Sequence, residues 1–222
     1  RREESEGYHF SSVMGVVLSP DGLLAATYSL DYTIKLWILE NGNLAQTLKG
    51  HKAFVNVAAF SPNSKLLASW AYDNTVRIWN TENGEQKWKF DGGGIIIEVI
   101  NFFAENRLWA AASSDDEGRV WNTETGHLEQ VDSHDHESHM PKVLRGNSSI
   151  QCKGAECDIS VEEEWVIVNR KKSIWLPPEY QLFSMAKDSS WAVRENTLVI
   201  GCDSGRVLFI WFDPVAMRDV IC

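Results

Sequence analysis

An all-β fold of small sheets stacked side by side is predicted for this chain of 222 residues. Three observations predict it. Apolar runs of strand length are separated by turn residues, not by segments with helical periodicity. The pattern recurs: Trp37, Trp79 and Trp121 stand 42 residues apart, and Asp31, Asp73 and Asp115 keep the step, as do Gly42, Gly84 and Gly126. Each unit is a short meander that cannot bury both of its faces alone, so it needs copies of itself as neighbours.

A step of 42 residues falls in the roughly 40–45 residue range of four-stranded propeller blades. The elements follow in order. Residues 1–8 are charged and read as a linker. The first unit, 9–50, has strands near Val13–Leu18, Leu23–Ser29, Thr33–Leu39 and Leu44–Leu48. Ser19-Pro20-Asp21-Gly22 is a turn with Pro where its fixed φ suits. Asn41-Gly42 reads as a hairpin turn with positive φ at both central residues. The second unit, 51–92, ends in a strand over Gln86–Phe90 whose alternation suits one wet face.

The third unit, 93–131, is worn. Gly92-Gly93-Gly94 replaces the Gly-His opening of the second unit, and Ala104-Glu105-Asn106 replaces its Ser-Pro turn. Residues 132–157 break the period and read as an irregular loop with room for one short strand. Residues 158–213 hold two degenerate terminal blades: a hairpin, Trp165–Asn169 and Ser173–Leu176 around a basic turn, and a last unit with strands near Trp191–Val193, Thr197–Cys202 and Arg206–Phe212. In that unit Phe209 follows Asp203 by the spacing that separates Asp73 from Trp79, which puts Phe209 in the Trp slot. Residues 214–222 are a tail. About five blades are visible in all. The chain opens on Arg1 and enters the repeat at once, so the expectation is the C-terminal part of a larger propeller with open edges.

Composition narrows function. The formal net charge is −10, which opposes the clustered Lys/Arg that phosphate binding needs, so nucleic acid is not an expected partner. No apolar run approaches membrane-spanning length. Four Cys at 152, 157, 202 and 222 form no disulfide framework and suggest a reducing, cytoplasmic setting. His134, His136 and His139 with Cys152 and Cys157 bring metal-ligand residue types together, but at spacings of no closed zinc motif, and no metal or other cofactor is expected. Gly92-Gly93-Gly94 lacks the Gly-Lys-Ser/Thr of a phosphate loop.

Gly50-His51, Ser61-Pro62, Asp73 and Trp79 resemble a WD40 repeat, with best copies at 9–50 and 51–92. The Trp-Asp dipeptide itself is replaced by Trp37-Ile38, Trp79-Asn80 and Trp121-Asn122. The resemblance implies a hydrogen-bonded tetrad in each unit: His9, Thr27, Asp31 and Trp37; then His51, Ser69, Asp73 and Trp79; and in the third unit only Asp115 and Trp121. Trp only donates, Asp only accepts, and His and Ser/Thr do both, so such a chain leaves no buried group unpaired. A His, a Ser and an Asp could also be taken for a catalytic triad. A set repeated once per blade is scaffold chemistry, whereas catalysis needs one centre with an oxyanion hole; no enzyme is expected.

The tetrad ties the His loop and the Asp turn to one edge of the blade. Phe10, Leu30, Tyr32, Lys52, Phe54, Tyr72, Ser114 and Asp116 therefore flank a single face, and the large apolar ones among them suggest a contact surface for a protein or small ligand. Residues 165–180 followed by 197–212 resemble the closing segment of fungal NACHT and WD-repeat proteins, NLR-like receptors of the vegetative-incompatibility type. That likeness implies upstream NACHT and effector domains and a ligand-sensing role. The alternative is a general WD40 scaffold for a multiprotein complex.

Overall fold

In a computed structural model, residues 7–94, 96–103, 107–111, 119–129, 150–152, 155–157, 159–162, 164–168, 171–180, 190–194 and 196–212 are described. They build five antiparallel meanders in chain order. Sheet 1 comprises β1 (Val13–Leu18), β2 (Leu24–Ser29), β3 (Ile34–Ile38) and β4 (Leu44–Leu48), and sheet 2 comprises β5 (Val55–Phe60), β6 (Leu66–Ala71), β7 (Thr75–Asn80) and β8 (Gln86–Asp91). Sheet 3 holds β9 (Val99–Phe103), β10 (Arg107–Ala111), β11 (Arg119–Asn122) and β12 (Leu128–Glu129). A small hairpin, β13 (Ile150–Cys152) and β14 (Ala155–Cys157), then stands where a loop with one short strand was expected. Sheet 4 has β15 (Ile159–Glu162), β16 (Trp165–Val168) and β17 (Lys171–Trp175); sheet 5 has β18 (Trp191–Arg194), β19 (Thr197–Gly201) and β20 (Val207–Trp211). This all-β stack of repeated meanders is the architecture of a partial β-propeller.

The local chemistry explains the turns. Ser19 Oγ and Ser61 Oγ each accept the backbone N–H five residues on, at 2.8 and 2.9 Å, and so fix the first hairpin of sheets 1 and 2. The Asn41-Gly42 turn differs from expectation. Gly42 alone has positive φ, 71°, and its N–H bonds to the Ile38 carbonyl at 2.8 Å. The connection is a longer turn with a left-handed Gly, not a two-residue primed one. Gly84 and Gly126 repeat it at φ 73° and 76°.

Four apolar clusters join the sheets among the described residues. One lies between sheets 1 and 2, with Leu36, Leu48, Leu67 and Trp79, and one between sheets 2 and 3, with Trp70, Ile78, Phe90 and Trp121. A third joins sheets 4 and 5 through Val166, Leu198 and Ile200. The fourth packs sheet 5 on sheet 1 through Val199, Phe209, Val13 and Trp37. Hydrogen bonds reinforce that last seam: His9 N to Gly205 O at 2.9 Å, Val13 N to Cys202 O at 3.1 Å, and Ser12 Oγ to Asp203 at 2.6 Å. The Arg194 guanidinium donates to the Ser19 and Pro20 carbonyls.

One expectation is overturned here. Trp37, Trp79 and Trp121 each face the preceding sheet, whereas Phe209 faces the following one, sheet 1. The turn bond from Ser29 N to Thr33 O has its counterpart in Cys202 N to Arg206 O. Asp203 thus sits one place before the slot of Asp31, and Ile210, packed toward sheet 4, occupies the Trp slot. A one-residue slip exchanges the two faces of a strand, and counting from Asp203 chose the wrong face.

Candidate functional site

Sheets 1 and 2 carry the same buried network at the same end. In sheet 1, Trp37 Nε1 donates to Thr27 Oγ1 at 2.8 Å, Thr27 Oγ1 lies 2.8 Å from His9 Nε2, and His9 Nδ1 lies 2.9 Å from Asp31 Oδ2. In sheet 2 the bonds are Trp79 Nε1 to Ser69 Oγ at 2.9 Å, Ser69 Oγ to His51 Nε2 at 2.9 Å and His51 Nδ1 to Asp73 at 3.1 Å. Trp can only donate, so each hydroxyl accepts from the indole and donates its O–H to Nε2; Nδ1–H then donates to the carboxylate. The network runs in one direction and needs the Nδ1-protonated tautomer. His9, Thr27, Ser69, Trp37 and Trp79 are all buried.

The carboxylates do more than receive the His. Asp31 accepts from the backbone N–H of Phe10 at 2.9 Å and from the Thr33 hydroxyl at 2.7 Å; Asp73 accepts from Lys52 N at 2.8 Å and the Thr75 hydroxyl at 2.7 Å. Arg77 adds a longer contact to Asp73 at 3.7 Å. Burial alone raises both carboxyls, but their hydrogen bonds and the neighbouring His outweigh it and hold both below the usual carboxylate range. Burial lowers His9 and pushes His51 down to about 4 against the pull of their Asp partners. Two neutral imidazoles therefore adjoin two ionised carboxylates. The hydroxyl beside each His is also the acceptor of the Trp indole N–H.

The third sheet lacks this network in its full form. Gly93 takes the position of the His, and the Arg119 side chain fills the space a Cβ there would need. Trp121 is buried against Phe90. Asp115, Ser114 and Asp116 lie outside the described residues, as do His134, His136 and His139; of Cys152 and Cys157 only the strand positions are described.

Phe10, Leu30, Tyr32, Lys52, Phe54 and Tyr72 stand at the Asp end of sheets 1 and 2. Phe10 is 61% exposed, Tyr32 47% and Tyr72 44%. Phe54 and Tyr72 pack with centroids 4.2 Å apart, and the Trp70 ring lies 5.0 Å from that of Tyr72. Nothing in the sequence accounts for a Trp at position 70. In the structure it is 2% exposed, packs in the seam with sheet 3, and has its Nε1 beside Gly92, where a Cβ would crowd it. Tyr32 has φ 71°, where the second sheet has Asn74 at 59°. Asn tolerates the left-handed region; Tyr does not do so readily. At the opposite end, a cavity of about 420 Å³ opens between sheets 1 and 5, lined by Leu23, Leu39, Glu40, Arg194, Thr197 and Trp211 among others.

The fold and these networks define a repeat protein of propeller type with a recurring buried polar network in sheets 1 and 2. Comparison with known proteins narrows the class. Residues 6–37 and 42–80 match the family described as WD domain, G-beta repeat. The match falls on sheets 1 and 2 and supports a WD40 repeat domain there; such repeats support a general protein-interaction scaffold role. No curated protein matches the chain. Among solved structures, the chain resembles the computationally designed Ika4 protein, with TM-score 0.50 and 18% identity over 94% of this chain and 96% of that one. It also matches the computationally designed Ika8 protein at TM-score 0.49 and 19% identity, spanning 92% of this chain but only 47% of that one. These likenesses concern the fold.

Proposed function

We propose that this chain is a non-catalytic binding propeller that engages a protein partner through the face bearing Phe10, Leu30, Tyr32, Lys52, Phe54 and Tyr72. The observation that carries the reading is Tyr32. An aromatic side chain is held half-exposed on a left-handed backbone position, a cost that folding alone gives no reason to keep. Phe10 and the Phe54–Tyr72 pair flank the same turns. Apolar groups exposed together among polar ones mark contact surfaces. By the 42-residue step, Ser114 and Asp116 hold the positions of Tyr72 and Asn74 in the third repeat. The full tetrads hold the loops below, so the face is presented on a rigid base.

The same proposal assigns the chain to the partner-sensing repeats of a fungal NLR-like receptor acting in the cytoplasm, with NACHT and effector modules upstream. The tail residues Trp165–Tyr180 and Thr197–Phe212 support this by their resemblance. Two experiments test the reading. The gene upstream of Arg1 should encode a NACHT module; a reading frame that starts at the linker removes the receptor assignment. The triple substitution Phe10→Ser, Tyr32→Ser, Tyr72→Ser should abolish co-purification of partners from the source cells without lowering the melting temperature. Unchanged partners in the folded triple variant overturn the face assignment.

A further inference from the structure

In sheet 2 the fourth strand closes the seam with the next sheet. Trp88 and Phe90 of β8 stack 6.4 Å apart, Phe90 stacks 5.7 Å from Trp121, and Trp88 Nε1 donates to Thr123 O at 2.7 Å. Sheet 5 has three strands among the described residues, yet its seam is closed in the same way. Phe209 and Trp211 of β20 stack 5.8 Å apart, Phe209 packs edge-on against Trp37 at 5.9 Å, and Trp211 Nε1 donates to Leu39 O at 3.0 Å. Thr123 and Leu39 hold the same place, two residues beyond Trp121 and Trp37. A third-strand aromatic pair thus performs the sealing of a fourth-strand pair, and among the described residues the backbone edge of β20 is left over.

That edge is well formed. Cys202 N bonds to Arg206 O and Phe212 N to Asn196 O, so the residues between alternate inward and outward. Val207, Phe209 and Trp211 direct their N–H and C=O groups away from β19. From Val207 to Trp211 the edge carries no charge and no Pro. The edge strand β17 of sheet 4, by contrast, carries Lys171 and Lys172, residues that discourage strand addition.

The residues next to the repeats in this sequence suit this edge poorly. The bond from Leu39 N to Leu23 O has its counterpart in Phe212 N to Asn196 O, so Asn41 and Gly42 align with Pro214 and Val215. A β-branched residue is a genuine outlier at the positive φ that Gly42 adopts, and Pro is disfavoured at the third position of a type I turn. On the other side, β4 precedes His51, and the same step back from His9 is Arg2 to Glu6. Glu6 would then take the slot of Leu48 and Phe90, both buried, where an unpaired carboxylate is costly.

We infer that the edge of β20 accepts an extended segment of a partner protein as a fourth strand. The register follows β4 and β8: an apolar residue opposite Val207, as Leu48 stands opposite Ile34 and Phe90 opposite Val76. Main-chain bonds supply affinity, and the alternate side chain supplies selectivity. The surface is distinct from the aromatic face, so the two readings fail separately.

The test uses the full chain and a synthetic capped peptide copying Asn43–Lys49, with amide hydrogen exchange over β20 as the readout. Without peptide, the outward amides of Val207, Phe209 and Trp211 should exchange freely. Saturating peptide should slow them about tenfold or more, and a peptide with Leu48→Glu should not. The protein substitution Val207→Pro, which removes one outward N–H, should abolish the effect while circular dichroism stays unchanged. Should that variant misfold, the two peptides alone decide. Protection of these amides before peptide is added, no slowing by the Leu48 peptide, or equal slowing by both peptides overturns the proposal.

Discussion

At the scale of single residues, the two tetrads set a pH dependence whose sign is fixed. Burial depresses His51 to about 4 from its ordinary value of 6.5. Between these values the unfolded chain binds the proton and the folded one does not, so stability falls as pH drops through this window. Asp31 and Asp73, held below 3.8, add a further loss as pH falls past that value. A shift of this size for His51 corresponds to on the order of 3 kcal/mol. The expected result is a melting temperature that declines steadily from pH 6.5 to pH 4. In His51→Phe the slope over that window should be visibly smaller, though the protein is less stable at neutral pH; an unchanged slope would mean that His51 is not held neutral.

Tyr32 gives a second prediction at this scale. Tyr32→Asn replaces an aromatic at φ 71° with the residue type that sheet 2 uses at the matching turn. It should stabilise the protein by up to about 1 kcal/mol in chemical denaturation, and it should weaken partner binding. Gain without loss of binding would leave the strain unconnected with function.

At the scale of elements, the turns and seams respond differently to change. Removing the Asp73 side chain leaves His51, Thr75 and Lys52 N–H without their acceptor and should cost about 1–3 kcal/mol by urea denaturation. Trp211→Phe keeps the stack on Phe209 but loses the bond to Leu39 O, at a cost of about 1 kcal/mol. Gly205 is more demanding. It has φ 82°, and a Cβ there would run into the His9 carbonyl. Gly205→Ala should destabilise the protein by more than Trp211→Phe does, because rigid backbone from sheet 1 stands in the way; an equal or smaller loss would show the contact between sheets 5 and 1 to be loose.

Most of sheets 1 and 2 is legible in the amino-acid sequence. Ser-Pro turns, Asn-Gly turns and apolar runs lie side by side in the chain, and hydrogen bonds such as Leu24 N to Ser19 Oγ close over five residues. The misread elements fail for a different reason. The face of Phe209 depends on a one-place slip, and Asn41-Gly42 shows that a dipeptide does not set turn length by itself. Trp70 has no local explanation because its reason, a glycine loop leading into sheet 3, lies in the neighbouring unit.

At the scale of the whole molecule, sheet 5 and sheet 1 meet although their strands lie far apart in sequence. The seam joins Trp211 to Leu39, Arg194 to Ser19 and Gly205 to His9. Sheet 5 is thereby covered on both faces, by sheet 4 on one side and sheet 1 on the other. The proposed face draws on both sheet 1 and sheet 2 because the two pack side by side. The tetrad sets can be named from the 42-residue step, but which aromatics remain exposed around them cannot: Phe10 is 61% exposed, whereas Phe54 is covered by the Tyr72 ring.

The repeat is written into the chain: its period, its strands and the residue types that pair inside each blade. These are local properties, set by turn chemistry, two-residue alternation and the obligation of buried donors to find acceptors nearby. How the last sheet is sealed to the first, and which strand edge is left open among the described residues, emerges only when the sheets are packed together. Those outcomes depend on side-chain size across seams between distant segments, where Phe209 and Trp211 do for sheet 5 what a fourth strand does for sheet 2, and no spacing along the chain encodes that substitution.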